Sequence, residues 1–172
     1  MKKGTSIKNV ELFKYFKPKD IDFITHKLKK IEVPKGSIIF KEKDKGKEMF
    51  IIRKGKVEVS LCRDDAVLVL AELGENSFFG EMALLTEKER SATISALTDC
   101  KLYSLSRQDF LKLFKEQPAI TAKILLGLAE VLCERVLLTN QNLETYFLVN
   151  KAIVDNEQFR NLYIYSQKKV SP

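Results

Sequence analysis

Between Ile31 and Ser106 the chain consists of short β-favouring runs cut by turn residues, and no other feature limits the fold so sharply. SIIF, EMFIIR, KVEVSL and VLVLAEL are separated by KEKDKGK, KG and CRDDA, and SATISALTDCKLYSLS adds two more runs joined at Thr98-Asp99. Short strands at regular spacing with turn signals between them make an all-β sandwich or barrel. With the flanking helical segments, about eight such strands predict a mainly β fold with flanking helices. The expected form is a jelly-roll β-barrel (double-stranded β-helix) with short N-terminal helices and a long C-terminal helix.

Helical spacing of apolar residues marks Ile7 to Phe16 and Lys19 to Leu28, with Pro18 at the first turn of the second segment. Ser106 opens SRQDFLKLF as a serine-capped helix. Pro118 then opens PAITAKILLGLAEVLCERVLLTNQNLETYFLV, in which Ala129, Leu132, Val136, Leu143 and Phe147 follow coiled-coil spacing. The expected organisation is N-terminal helices over 1–30, the barrel over 31–117, the long helix over 118–149 and a tail over 150–172.

With 172 residues, 45% of them hydrophobic, the chain is long enough for one domain with an appendage. Cys62, Cys100 and Cys133 are odd in number and far apart, which suggests neither a disulfide framework nor a zinc knuckle. MKKGTSIKNVELF lacks an apolar core, and no stretch has the uninterrupted apolar length of a membrane span. The expectation is a soluble, cytoplasmic protein. The net charge of +7 sits in front: residues 1–56 carry 17 Lys and Arg against 7 Asp and Glu, and residues 57–172 carry 13 against 16. Lysines interspersed with apolar residues there read as the wet face of amphipathic helices, although a basic front also suits nucleic acid, an anionic membrane or an acidic protein.

The stretch FFGEMALLTEKERSAT, Phe78 to Thr93, is the candidate site. Gly80 can take backbone angles closed to other residues and lets a ligand approach the main chain. The amides around Glu81, Met82 and Ala83 at the start of the short helix GEMALLT suit a phosphate, and Arg90 brings a planar fork that grips two phosphate oxygens. Glu81 repels a phosphate but accepts hydrogen bonds from a sugar hydroxyl, so the ligand is a phosphorylated sugar. The same spacing also allows a purely structural Glu81–Arg90 ion pair.

FGEMALLTEKERSAT closely resembles the phosphate-binding cassette of cyclic nucleotide-binding domains, the modules of cyclic-AMP receptor proteins, cyclic-nucleotide-dependent protein kinases and gated channels. LFKYF, the run IIFKEKDKGKEMFIIRKGKVEV and the closing helices are similar to that family in order and spacing, over about residues 10–145. The resemblance implies a cassette at 78–92 in which Glu81 accepts from the ribose 2′-hydroxyl and Arg90 holds the cyclic phosphate. The amides near Met82 and Ala83 become further phosphate donors, and Ser91 a contact to the phosphate or the base. The ligand implied is cyclic AMP or cyclic GMP, the former favoured, with no metal. In the family the helix after the barrel covers the base and forms the dimer contact of bacterial regulators. Arg135, Thr139 and Asn140 therefore either reach the base or fix the register of a helix pair. Lys43 departs from the glycine usual at its position, and TEKER lacks the glycine or proline often found before the arginine. Gly46 and Gly55 read as turn formers.

Catalysis is not expected: His26 is the only histidine, and GxxxxGK[ST], GxSxG and HExxH are all missing from the sequence. DNEQFRNLYIYSQKKVSP leaves no room for a winged helix-turn-helix, so direct DNA binding is not expected. The reading is a cyclic nucleotide sensor, homodimeric through its C-terminal helix, that relays binding to an unknown downstream protein. Its alternatives are a nucleotide-free structural or dimerisation module of the same fold, and the truncated sensor half of a DNA-binding transcription regulator.

Overall fold

Successive β-rich runs pair into two four-stranded antiparallel sheets in a computed structural model that describes residues 7–64, 66–156 and 161. The strands are β1 (Lys29–Val33), β2 (Ile38–Phe40), β3 (Glu48–Lys54), β4 (Val57–Arg63), β5 (Ala66–Leu73), β6 (Phe78–Phe79), β7 (Thr93–Ala96) and β8 (Cys100–Ser106). One sheet has the order β1-β8-β3-β6 and the other β2-β7-β4-β5, the jelly-roll arrangement expected. Inward residues of both sheets meet in one core, with Phe50, Ile52, Phe79 and Leu102 from the first and Val57, Ile94 and Ala96 from the second. On β3, Met49, Phe50, Ile51 and Ile52 are all buried, although alternate residues face opposite ways. Both faces of this strand are therefore covered.

Four α-helices accompany the sheets: α1 (Pro18–Lys27), α2 (Met82–Leu85), α3 (Arg107–Glu116) and α4 (Pro118–Asp155). Pro18 opens α1, Pro118 opens α4, and the Ser106 hydroxyl accepts from the Asp109 amide at 3.1 Å to cap α3. The segment expected as a first helix, Ile7 to Phe16, instead forms two 3₁₀ turns, Ile7–Asn9 and Glu11–Phe13. Tertiary burial explains the difference: Ile7, Val10, Leu12 and Phe13 are all buried, and two tight turns direct four closely spaced apolar residues into one interface. Two strands missing from the sequence reading, β1 and β6, pair with β8 and β3 respectively.

The chain divides into two compact units, residues 1–129 and 130–172. In the second unit the α4 residues Val136, Leu137, Leu138, Leu143, Tyr146, Phe147, Leu148 and Val149 are exposed. Residues 1–6 of the N-terminal segment and most of the 150–172 tail lie outside the described residues. Among the described residues, no helix is long and apolar enough to cross a membrane.

Within the first unit, α1 is tied to α4 by one side chain. The Asp20 carboxylate accepts from the Lys17 amide at 3.0 Å, and Lys123 Nζ donates to the same oxygen at 2.6 Å. The Lys123 ammonium, and after it the Lys17 amide, hold the Asp20 pKa below its ordinary value. A carboxylate with a depressed folded pKa stabilises the fold above its unfolded pKa, and that contribution fades as pH falls through the folded value. Asp20→Asn is expected to cost about 1.5–3 kcal/mol at pH 7. Thermal melts should show this difference shrinking towards pH 3 and below; a difference independent of pH would assign the loss to packing.

Candidate functional site

The site is assembled where the end of β6 turns into α2 against the loop that precedes β3. Phe78 and Phe79 pair with Ile51 and Phe50, which fixes the entry to the turn. Gly80 follows with φ +74, a left-handed conformation that L side chains rarely adopt. A Cβ there would also lie 2.7 Å from Arg90 Nη1 and 3.2 Å from the Glu48 carbonyl oxygen. Glu81 then takes helical angles as the residue before α2 and is only 6% exposed.

The turn uses some of the amides assigned to a phosphate. Ala83 N–H donates to the Gly80 carbonyl at 3.2 Å and Leu84 N–H to the Glu81 carbonyl at 2.9 Å. With four residues, α2 is a single turn, so local N–H groups carry whatever anion affinity it has, and its macrodipole is small. Met82 is 44% exposed, Ala83 is buried, and the exposed Ser91 hydroxyl lies 3.7 Å from the Met82 sulfur.

Arg90 is held by its backbone before its side chain is considered. Its N–H donates to the Asp44 carbonyl at 2.9 Å, and its carbonyl accepts from Lys43 N–H at 2.8 Å. Lys43 sits in the left-handed region at φ 67, so it adopts the glycine-like conformation of this turn without being glycine. Asp44 closes the turn by accepting Lys41 N–H at 2.8 Å, and Glu42 N–H donates to Thr93 Oγ1 at 3.0 Å. The 41–44 turn and the 90–93 segment are thereby stitched together.

The Arg90 side chain is then drawn inward, and the residue is 8% exposed. Nη1 donates to the Gly80 carbonyl at 3.2 Å, and Cζ lies 4.0 Å from the centroid of the Phe40 ring. Nε is buried with no hydrogen-bond partner. Burial pulls the guanidinium pKa below its ordinary value, while Glu48, Asp44 and Glu81 act in the opposite direction. The group stays cationic at neutral pH, since the ordinary arginine pKa lies far above it. Among the described residues Arg90 forms no ion pair, so the structural Glu81–Arg90 pair that the spacing allowed is not made. A concavity of about 580 Å³ opens beside this side chain, lined among others by Phe40, Asp44, Gly46 and Arg90. That is the size of a small-molecule site.

Gly80, Glu81, Met82, Ala83, Arg90 and Ser91 thus share one cassette. Arg135, Thr139 and Asn140 belong to the second unit, on α4, where the Thr139 hydroxyl donates to the Arg135 carbonyl at 2.8 Å. Three contributors to the site had no signal in the sequence. Phe40 supplies the ring under the guanidinium. Gly46, read as a turn former, abuts Arg90: a Cβ would fall on Nε, Cζ and Nη2. Arg107 ties the cassette to α3, with its N–H donating to the Lys47 carbonyl at 2.7 Å and Nη1 to the Leu84 carbonyl at 2.6 Å. Gly55, at φ 98, is the turn former it was read to be.

Known proteins are similar to this chain in sequence and fold. The family model described as the cyclic nucleotide-binding domain matches residues 30–117. A cyclic AMP receptor protein of Thermus thermophilus is 33% identical over 74% of this chain and 60% of its own length. A cyclic nucleotide-gated potassium channel of Mesorhizobium japonicum is 37% identical over 64% of the chain and 30% of its own length. The crystal structure of the Thermus thermophilus catabolite activator protein superposes with a TM-score of 0.72 at 31% identity, covering 79% of this chain and 62% of that one. The chain therefore spans less than two thirds of the length of these relatives. With the family model matching residues 30–117 and the jelly roll in agreement, the chain belongs to the cyclic nucleotide-binding domain family.

Proposed function

We propose that the protein is a non-enzymatic cyclic nucleotide sensor that binds cyclic AMP or cyclic GMP, with cyclic AMP favoured. The observation that carries this reading is the buried Arg90 guanidinium, whose Nε has no partner although a cavity of ligand size opens beside it. A buried donor without an acceptor costs about 1–3 kcal/mol, and a phosphate oxygen removes that cost. The Nε and Nη2 N–H groups form the side-on edge of the fork and suit two oxygens of one phosphate. Glu81 takes the ribose 2′-hydroxyl, the Gly80 to Ala83 turn supports the phosphate, and Ser91 faces the phosphate or base. Arg135, Thr139 and Asn140 are proposed base or register residues, and no metal takes part.

The output is proposed to pass through the helices after the barrel to a downstream protein in the cytoplasm, with two copies paired through α4. The exposed apolar residues of α4 support pairing, since a helix leaving Val136, Leu143 and Phe147 in water lacks a partner for that stripe. The proposed division is an N-terminal segment to residue 30, a barrel over 31–117, a long helix over 118–149 and a tail; in the structure β1 already begins at Lys29 and α4 runs on to Asp155.

Titration calorimetry with each nucleotide is expected to give a Kd in the micromolar range or tighter, about −8 kcal/mol. Arg90→Ala should weaken binding by at least about 100-fold, because two charge-assisted hydrogen bonds are lost. Glu81→Ala should cost less, and Glu81→Gln should fall between it and wild type. If neither nucleotide binds at millimolar concentration, a nucleotide-free module of the same fold takes the place of the sensor.

Sedimentation should show a dimer that Leu132→Asp with Val136→Asp converts to monomer; an unchanged mass in the double variant would remove α4 as the interface. Ligand should also raise hydrogen-exchange protection in residues 78–92 and in the 43–48 turn bonded to Arg90, and change it in 110–140. Protection confined to the first two segments would leave a binding protein without the relay.

A further inference from the structure

We infer that Phe40 is a positioning residue for ligand binding: its ring holds the Arg90 guanidinium so that the Nε and Nη2 edge meets the anionic group of the ligand. This inference rests on the nucleotide-binding reading above. Three observations carry it.

The first is the stack itself, with Arg90 Cζ 4.0 Å from the Phe40 centroid. Cation–π contact extends to about 6 Å and strengthens as water is excluded, and Arg90 is 8% exposed. Phe40 is in turn fixed by aromatic neighbours, with centroids 6.1 Å from Phe50 and 5.9 Å from Phe79.

The second is the backbone of β2. Adjacent residues of a regular strand face opposite sides, yet Ile39 and Phe40 both pack against the barrel core. The register explains this: Ile38 pairs with Ser95 and Phe40 with Ile94, so two steps on β2 oppose one on β7. Such a bulge re-aims a side chain, and here it turns Phe40 inward under Arg90.

The third is the occupancy of the rest of the guanidinium. Nη1 is taken by the Gly80 carbonyl. The three atoms nearest to the missing Cβ of Gly46 are Nε, Cζ and Nη2, so the absence of a side chain at this position keeps the Nε and Nη2 side of the group from being overlapped. With one face on a ring and one nitrogen on a carbonyl, rotation of the group is restricted and a single bidentate edge is left for an anion.

The experiment compares cyclic AMP with adenosine, which lacks the phosphate, in wild type, Phe40→Leu and Phe40→Tyr. Phe40→Leu keeps an apolar side chain but removes the ring. It should raise the Kd for cyclic AMP about 3- to 30-fold and leave adenosine binding within about twofold. Phe40→Tyr, which retains the ring face, should stay within about threefold of wild type for both. Equal losses for the two ligands, or equal losses in the two variants, would show that Phe40 acts only as packing and would overturn the proposal. If wild type binds neither ligand, the nucleotide reading fails separately, and the clamp is judged on the apo protein. There the Arg90 Nε–H resonance, identified by its loss in Arg90→Lys, should be shifted upfield and slow to exchange in wild type and Phe40→Tyr but not in Phe40→Leu. The same resonance in all three proteins overturns the clamp.

Discussion

A cation buried without a counter-ion in contact is the constraint around which the rest of this barrel end is arranged. Moving a guanidinium out of water costs several kcal/mol, and the fold offsets that cost with weak, diffuse interactions: a ring face, one carbonyl and the field of three carboxylates. None of these is the two-point acceptor that the group is shaped to bind. The backbone anchors the residue, since Arg90 N–H and C=O are both bonded to the 43–44 turn, and the side chain runs inward to the Gly80 carbonyl and the Phe40 ring. An arginine kept dry but incompletely satisfied supports the proposed anion-binding role of the cassette over a structural salt bridge.

The legibility of the sequence follows the range of the interactions. β2 to β5, β7 and β8 were readable because each is a local run with its own turn signals, and the Ser106 cap and Pro118 start are matters of adjacent residues. β1 has little local signal because three of the five residues of KKIEV are charged and it becomes a strand by pairing with β8, while β6 is two residues long and exists through its bonds to β3. Ile7 to Phe16 has helical spacing, but tertiary burial of Leu12 and Phe13 overrides that propensity.

The same rule divides the site. Gly80, Glu81 and Arg90 lie within eleven residues of one another and could be read together. Phe40 and Gly46 reach Arg90 across more than forty residues, through a bulge and a turn that no local pattern announces. Lys43 shows the converse. A lysine where glycine is usual left the turn shape undetermined, and the turn persists because the bond to the Arg90 carbonyl holds Lys43 at φ 67. That conformation costs a non-glycine residue about 1–2 kcal/mol, which this cross-loop bonding has to offset.

If ligand binds at Arg90 as proposed, its effect spreads through contacts of the cassette, and in the first unit Arg107 links the cassette to α3. Its guanidinium holds the Leu84 carbonyl at the end of α2, its backbone holds Lys47 before β3, and its own residue begins α3. A displacement of the cassette therefore pulls on α3 through a hydrogen bond to a charged donor, worth about 1.5–3 kcal/mol. At the other end of α3, Gln117 N–H returns to Leu113, and the Ile120 and Thr121 amides return to Gln117, so the first turn of α4 is built on the last turn of α3. Pro118 has no amide to lose in that junction, which permits a change of direction at little cost. The ligand's leverage over this junction is bounded by its differential affinity for the two arrangements of α2. An energy the size of the Arg107–Leu84 contact corresponds to a shift of tenfold to about a hundredfold in population.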